Sequence, residues 1–197
     1  MMRLPRFSYL APSSLDEAAR ALADLGPAAS VLAGGTDLFP NMKRRQQTPG
    51  TVIGLRGIAG LRARSSDPAR GFSIGALTRL SEIEHDPGIA AAWPALARAA
   101  SLVATPPLRN MGTLGGNLCL DTRCSYYDQS QEWRAAIGYC MKREGDVCWV
   151  APSSPRCWAV SSSDTAPVLC ALDTRVSSAS SGGSRRASCS PTTASST

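Results

Sequence analysis

A pair of glycines directly after a short apolar run constrains this chain more than any other feature. Val31-Leu32-Ala33 is typical of a buried strand, and Gly34-Gly35-Thr36-Asp37 follows it without a gap. Two glycines let consecutive backbone N–H groups converge on a bulky anion, and the threonine adds a hydroxyl donor. The loop therefore suits a pyrophosphate, although it matches neither a G-x-G-x-x-G fingerprint nor a Walker A loop. An ordinary glycine turn is the alternative.

A second glycine pair repeats this chemistry about 80 residues further along. Thr113-Leu114-Gly115-Gly116-Asn117 again combines a hydroxyl, two glycines and an amide, and we interpret it as a second glycine turn. Two such loops can clamp one long, phosphate-bearing cofactor from both sides. Taken singly, the threonine or the asparagine is more typical of a helix cap.

The surrounding pattern predicts alternating strands and helices. Ser14 and Glu17 have the spacing of a capping box at the start of a helix. Strands are predicted at 7–10, 31–33, 51–55 and 72–76, and helices at 15–25, 79–85 and 89–103. Pro94 lies near the first turn of the last of these helices, where proline is tolerated. Strand, helix and strand in this order indicate α/β layers in the first 60 residues.

Composition excludes several classes of function. The net charge is +6, but the one tight basic run of the chain, Lys43-Arg44-Arg45, has no interleaved aromatic residues. We therefore expect this run to form a solvated face or a subunit contact, and we expect no nucleic-acid binding. No apolar run reaches 18 residues and no signal-peptide pattern opens the chain, so we expect no membrane span and a cytoplasmic location. His85 is the only histidine, and it lies in a polar stretch that we expect to be an exposed helix end. Its position therefore argues against a hydrolase triad.

Residues 119–158 contain five of the seven cysteines and three of the four tryptophans. Cys124, Cys140, Cys148 and Cys157 are separated by 15, 7 and 8 residues, without the close pairs of zinc sites or ferredoxins. An iron–sulfur cluster, a zinc ion and a set of buried thiols all remain open from spacing alone. We expect Cys119, Cys170 and Cys189 to be buried thiols.

The last 21 residues, 177–197, include 12 Ser or Thr and no large apolar side chain. Such a segment buries too little apolar surface to offset the entropy of ordering, so it is predicted to be a disordered tail.

Four motifs together resemble a known family: residues 31–38, Ser73-Ile74-Gly75-Ala76, residues 109–117 and residues 161–167. They are similar to the FAD-binding medium subunit of xanthine dehydrogenase-type molybdenum hydroxylases over residues 5–175. The resemblance implies an α+β fold, the two-lobed FAD-binding domain of the PCMH/vanillyl-alcohol-oxidase type, over residues 1–176 with a cysteine-rich loop insertion. Family members continue into a smaller α/β domain that this sequence lacks, so we expect weak FAD binding and poor subunit assembly by this chain alone.

The same resemblance assigns the cofactor contacts. The FAD pyrophosphate would be cradled by Val31, Leu32, Ala33, Gly34, Gly35, Thr36, Asp37 and Leu38. Val103 would line the site and Asp164 would hydrogen-bond the cofactor. The flavin and phosphate side would be gripped by Thr113, Leu114, Gly115, Gly116 and Asn117.

Within the family, the cysteine insertion resembles that of the β subunits of 4-hydroxybenzoyl-CoA reductases. That resemblance implies a [4Fe–4S] cluster on Cys124, Cys140, Cys148 and Cys157, which takes electrons from ferredoxin and passes them to FAD. The implied partners are a small subunit with two [2Fe–2S] clusters and a molybdopterin-containing large subunit that reduces 4-hydroxybenzoyl-CoA to benzoyl-CoA. No residue of this chain is expected to be catalytic. The alternatives are the FAD subunit of another molybdenum hydroxylase (aldehyde, CO or purine oxidation), a non-enzymatic zinc module, and an inactive pseudo-subunit.

Overall fold

The computed structural model describes residues 3–67, 71–180 and 183–188. Its strands are β1 (Ser8–Leu10), β2 (Ala29–Leu32), β3 (Thr51–Gly54), β4 (Arg64–Asp67), β5 (Gly71–Ile74), β6 (Arg175–Ser180) and β7 (Gly183–Ser188). Its α-helices are α1 (Leu15–Leu25), α2 (Leu38–Lys43), α3 (Leu80–Glu84), α4 (Pro87–Ala92), α5 (Pro94–Leu102), α6 (Pro106–Arg109), α7 (Leu114–Leu118), α8 (Gln131–Ala136) and α9 (Ala166–Ala171). Short 3₁₀ helices occupy Gly26–Ala28 and Ala59–Arg62.

A three-stranded parallel sheet in the order β1-β3-β2 forms the first layer. Successive side chains of the central strand point to opposite faces. Val52 is fully buried against Met42 of α2, and Ile53 is fully buried against Ala18 of α1. Helices therefore cover both faces of β3, which confirms the α/β layers predicted for this part of the chain. Ser14 caps α1 by accepting a hydrogen bond from the Glu17 backbone N–H, but the Glu17 carboxylate bonds Ser13 instead of closing the predicted capping box.

The second layer is mainly helical. The core there consists of buried residues from α3, α4, α5, α7 and α9, and Phe72 of β5 stacks on Trp93 with ring centroids 5.0 Å apart. Strands β4 and β5 form an antiparallel pair beside it. No helix in the described ranges is long and apolar enough to cross a membrane.

The predicted helix over 89–103 is two helices. Pro94 disfavours helical backbone at the preceding residue. Trp93 accordingly ends α4 with φ −137° and ψ 64°, and its N–H bonds Ile89 O at 2.7 Å. Pro94 then occupies the first turn of α5, where its missing N–H has no cost.

Three further expectations differ from the structure. Val31 is 41% exposed because β2 is an edge strand, so residues 31–33 are not a buried strand. Cys119 is exposed rather than buried, and Cys170 is half-buried and disulfide-bonded. Cys189 lies outside the described residues.

Part of the segment predicted to be disordered forms a β-hairpin. Strands β6 and β7 pair antiparallel from Arg175↔Ser188 to Ser180↔Gly183. Cross-strand backbone hydrogen bonds need no apolar side chains, and α1 contacts β6. Residues 181–182 and 189–197 lie outside the described residues.

Candidate functional site

A cleft of about 260 Å³, open solvent included, lies between the two glycine-bearing segments. It begins where β2 ends. Ligands of many open α/β folds bind at this side of the sheet, outside the carboxyl ends of the strands. Three arginines contribute to its wall, and none forms an ion pair with a carboxylate in the described part of the chain. The lining residues are Ala33, Gly34, Arg56, Arg62, Leu77, Arg79, Met111 and Thr113. The cleft therefore offers unpaired positive charge to an anionic ligand.

The first loop, residues 33–37, runs from β2 into α2. Gly35 has φ +79°, a left-handed conformation that favours glycine. Gly34 is needed for a close approach, because a Cβ there would lie 2.1 Å from the backbone oxygen of Met111. The backbone N–H groups of residues 34–36 donate to no other group of the described chain. This loop thus retains free donors beside the cleft, which fits a phosphate-bearing cofactor.

The second segment is the short helix α7, and the predicted glycine turn is wrong. Thr113 caps α7 by accepting a hydrogen bond from Gly116 N at 3.1 Å. Gly115 is required because a Cβ there would lie 2.8 Å from the Cβ of Ala76, and its N–H donates to Ala76 O at 2.8 Å. Leu114 N likewise donates to Thr78 O. Because these N–H groups are already bonded, α7 does not supply a second set of free donors, and it is its N-cap residue, Thr113, that lines the cleft.

Asn117 and Asp164 lie together, although 47 residues separate them. The Asn117 side-chain N–H donates to Asp164 Oδ2 at 3.0 Å. Its amide oxygen accepts hydrogen bonds from the Ser163 hydroxyl and from both the backbone N–H and the hydroxyl of Thr165, at 2.7–3.1 Å. The buried amide therefore ties α7 to the start of α9 and leaves the exposed Asp164 beside it.

Val103 is partly buried against the helical core and does not line the cleft. Its carbonyl accepts a hydrogen bond from Arg109, whose guanidinium also forms a bidentate pair with Glu84 at 2.7 and 3.1 Å. The hydrogen bond from Arg109 lowers the pKa of Glu84. Next to this pair, His85 is exposed at the end of α3, as predicted.

Sequence reasoning missed the three cleft arginines, Arg56, Arg62 and Arg79. For Arg56 a signal was available. Arg56 follows β3 closely, and the carboxyl ends of adjacent parallel strands lie at the same side of a sheet. The hydrogen bond of 3.0 Å from Leu55 N to Leu32 O shows that the carboxyl ends of β2 and β3 are neighbours. Arg62 and Arg79 reach the cleft only through tertiary packing, since no local pattern places them there.

The four predicted cysteine ligands line one pocket, although they come from distant positions in the sequence. Cys140 and Cys148 are buried, Cys124 is half-buried and Cys157 is exposed. Aromatic rings and one ammonium complete the wall. The lining residues are Cys124, Tyr126, Tyr127, Cys140, Met141, Lys142, Cys148, Trp149 and Cys157. In the described residues, no three His, Cys, Asp or Glu side chains form a group that could hold a single metal ion.

Cys148 has the environment of a stabilised thiolate. The backbone N–H groups of Ala151, then Trp158, then Val150 lower the pKa of the Cys148 thiol. Ala159 N similarly donates to Cys157 Sγ at 3.4 Å. Such N–H···S contacts favour the deprotonated, metal-binding form of a cysteine.

The pocket belongs to a cysteine segment, residues 124–159, which is closed at its base. Arg123 and Val160 exchange backbone hydrogen bonds of 2.7 and 3.0 Å there. The Arg123 side chain pairs with Asp37 of the first loop. The segment is thereby joined to the loop that lies beside the cleft.

The chain after α2 anchors the same segment. Arg44 pairs with Asp128 at 2.6 Å, whereas its neighbours Lys43 and Arg45 are exposed. The nearly fully buried Gln46 donates to the backbone oxygens of residues 127 and 129 at 2.7 and 3.2 Å. The expectation of a solvated basic run is therefore wrong for Arg44, which makes an intramolecular contact.

In the described part of the chain, this cleft combines a loop with free backbone N–H groups and three arginines without ion pairs, which is typical of a domain that binds an anionic, phosphate-bearing cofactor. The sequence matches the family described as "FAD binding domain in molybdopterin dehydrogenase" over residues 5–190. The chain belongs to this family.

Individual relatives agree with that assignment. The chain is 41% identical over 114 residues to the carbon monoxide dehydrogenase medium chain of Hydrogenophaga pseudoflava, covering 58% of this chain and 39% of that protein. It is 38% identical over 115 residues to the nicotinate dehydrogenase FAD-subunit of Eubacterium barkeri, covering 57% and 38%. The sequence matches thus cover well under half the length of these curated relatives.

Solved structures share the fold. The carbon monoxide dehydrogenase of Hydrogenophaga pseudoflava superposes with a TM-score of 0.71 at 28% identity, over 95% of this chain and 52% of that one. Quinoline 2-oxidoreductase from Pseudomonas putida 86 gives 0.68 at 28% identity, with the same coverage. The fold expected from the resemblance is confirmed.

Proposed function

We propose that this chain is the FAD-carrying, electron-transfer part of the medium subunit of a molybdenum hydroxylase. The observation that carries the proposal is the cleft lined by the first loop and Thr113: in the described part of the chain its three arginines form no ion pair and the adjoining N–H groups of residues 34–36 are free. Backbone N–H groups and guanidinium groups are the donors that a pyrophosphate prefers. The partners we propose are a molybdopterin-containing large subunit and a small subunit with two [2Fe–2S] clusters.

In this proposal the first loop and the arginines bind the pyrophosphate of FAD. Gly34 and Gly35 let the backbone approach it, and Thr36 offers a hydroxyl. Thr113, the N-cap residue of α7, lines the same cleft. The side chains of Asn117 and Asp164 fix the position of α7 relative to α9.

We further propose that Cys124, Cys140, Cys148 and Cys157 bind a [4Fe–4S] cluster. The support is their shared pocket, the N–H···S contacts at Cys148 and Cys157, and the aromatic wall. A single zinc ion needs its thiolates about 3.8 Å apart, given tetrahedral bonds of about 2.3 Å. A cluster of eight atoms is wider than one ion, so its cysteines need not approach each other so closely.

The cysteine pocket favours the 4-hydroxybenzoyl-CoA reductase type. When bound, the cluster and FAD would supply one- and two-electron transfer, carrying electrons from reduced ferredoxin towards a molybdenum subunit that converts 4-hydroxybenzoyl-CoA to benzoyl-CoA. In this chain, Arg123 would hold the cysteine segment against the FAD loop through Asp37. The protein's contribution would therefore be to hold the cysteine segment and the FAD loop in a fixed relation.

A second candidate is the FAD subunit of an oxidising molybdenum hydroxylase. The observation that favours it is the 41% identity to a carbon monoxide dehydrogenase medium chain. The pocket cysteines do not account for this similarity.

The first experiment is anaerobic purification of the 197-residue chain, followed by iron, sulfide, zinc and flavin analysis. We expect about four irons and four sulfides per chain and a broad visible absorption. Cys148→Ser should lower the iron content, whereas Cys119→Ser is a matched control because Cys119 is exposed and does not line the pocket. Zinc without iron would overturn the cluster proposal.

The substrate class needs the assembled enzyme. With its partner subunits, the reductase type should form benzoyl-CoA from 4-hydroxybenzoyl-CoA and reduced ferredoxin. Oxidation of CO, an aldehyde or a purine, without benzoyl-CoA formation, would instead support the second candidate. Absence of flavin from an assembled, folded complex would refute both.

A further inference from the structure

The cysteine segment contains a buried cation that the proposed function does not use. Arg134 of α8 is 1% exposed, and among the described residues its Nε and one terminal nitrogen have no hydrogen-bond partner. The other terminal nitrogen donates to Gln131 Oε1 at 2.6 Å. No carboxylate pairs with this guanidinium in the described part of the chain. A buried, unpaired charge is costly, so it normally has an opposite charge nearby.

A second cation is joined to Arg134 through one aromatic ring. The Arg134 guanidinium carbon lies 5.4 Å from the centre of the Tyr127 ring, and Lys142 Nζ lies 5.2 Å from the same centre. Tyr127 and Lys142 both line the cysteine pocket. Two cations thus share one ring, and that ring and Lys142 line the same pocket as the four cysteines.

The local charges do not cancel. Lys142 donates to Asp121 Oδ1 at 2.9 Å and to the Thr122 hydroxyl at 2.5 Å. Asp121 is the one carboxylate paired with this two-cation group in the described residues. Two cations against one carboxylate leave a net positive charge around the Tyr127 ring of the pocket wall, which suits an anionic group held by thiolates.

We infer that Arg134 and Lys142, acting with the Tyr127 ring, are positioning residues that raise the reduction potential of the cluster bound by the four cysteines. This inference rests on the proposed function. Each electron added to a thiolate-bound cluster adds one negative charge, with no bond formed or broken. Nearby positive charge therefore stabilises the reduced form, and cluster potentials are sensitive to net charge and hydrogen bonding.

The test measures the cluster's midpoint potential by EPR-monitored titration of the full chain, after anaerobic reconstitution with iron and sulfide. Lys142→Gln should retain its iron and shift the midpoint to a more negative potential, and Lys142→Arg should restore the wild-type value. Lys43→Gln is a matched control, because Lys43 is the only other lysine, is exposed and lies outside the cysteine pocket. Arg134→Gln should shift the midpoint in the same direction, and Lys142→Gln carries the test if that variant does not fold.

The outcomes separate the two proposals. Full iron content with an unchanged midpoint in Lys142→Gln overturns this inference and leaves the cluster assignment standing. An equal shift in Lys43→Gln also overturns it, since the effect would then be one of overall charge. A wild-type chain that takes up no iron overturns the cluster proposal and this inference with it.

Discussion

Gly34 separates two packed backbone segments, and an added methyl group there should force them apart. A Cβ at Gly34 would lie 2.1 Å from Met111 O and 2.9 Å from Met111 C, whereas ordinary contact begins at 3.4 Å. The first loop and the chain before α7 must therefore separate by more than about 1 Å, or deform. Both partners are backbone, so no side-chain rotation relieves the overlap. Overpacking of this kind costs about 1–3 kcal/mol.

Thermal unfolding of Gly34→Ala measures that cost. For a chain of this size, about 2–4 °C of Tm is lost per kcal/mol, so we expect a decrease of about 2–12 °C. The same displacement widens the cleft, so the Kd for FAD should rise. Each tenfold rise in Kd corresponds to a loss of about 1.4 kcal/mol of binding free energy. Gly60→Ala is the matched control, since a Cβ there meets no atom of the described residues within 4 Å and its φ is not positive.

The two variants together decide the argument. Gly60→Ala should leave Tm unchanged or raise it, because it reduces the entropy of the unfolded chain. A Gly34→Ala chain with the wild-type Tm and FAD affinity would refute the reasoning that glycine is needed for this close approach. Equal losses in both variants would refute it as well, since the effect would then come from replacing any glycine.

Three further outcomes follow from individual contacts. Asn117→Ala should lower the free energy of unfolding by about 1–3 kcal/mol in urea, because it leaves buried donors without their shared acceptor; an unchanged urea midpoint would contradict this. Arg44→Ala should lower the free energy of unfolding by less than about 1 kcal/mol, because the pair of Arg44 with Asp128 is partly exposed. The same change should nevertheless speed proteolysis within the cysteine segment. Arg109 lowers the pKa of Glu84, so the stability this carboxylate contributes is present above its ordinary pKa of 4.5 and is lost as pH falls through the lowered value. The urea midpoint of Glu84→Gln should therefore fall below that of the wild type at pH 7 and approach it in acid; a gap that is constant with pH would contradict the assignment.

The glycine motifs illustrate both the strength and the limit of sequence reasoning. Residues 33–37 were predicted to form a loop after a strand, and the structure has that loop, because a strand followed by paired glycines has few other solutions. Residues 113–117 have the same composition but form a capped helix. The choice depended on Ala76 and Thr78, whose carbonyls accept the N–H groups of α7 from a distant part of the chain.

The sequence by itself determined the alternating layers, the position of α1, the family and the identity of the four pocket cysteines. These rest on periodicity, capping residues and motif spacing, which act over a few residues or are fixed by residue type. Tertiary structure alone decided that β2 is an exposed edge and that Arg56, Arg62 and Arg79 meet in one cleft. It also decided that Arg134 is buried with no carboxylate paired to it within the described ranges. Such features depend on which distant segments pack together, and the energies of long-range packing leave no periodic trace in a single sequence.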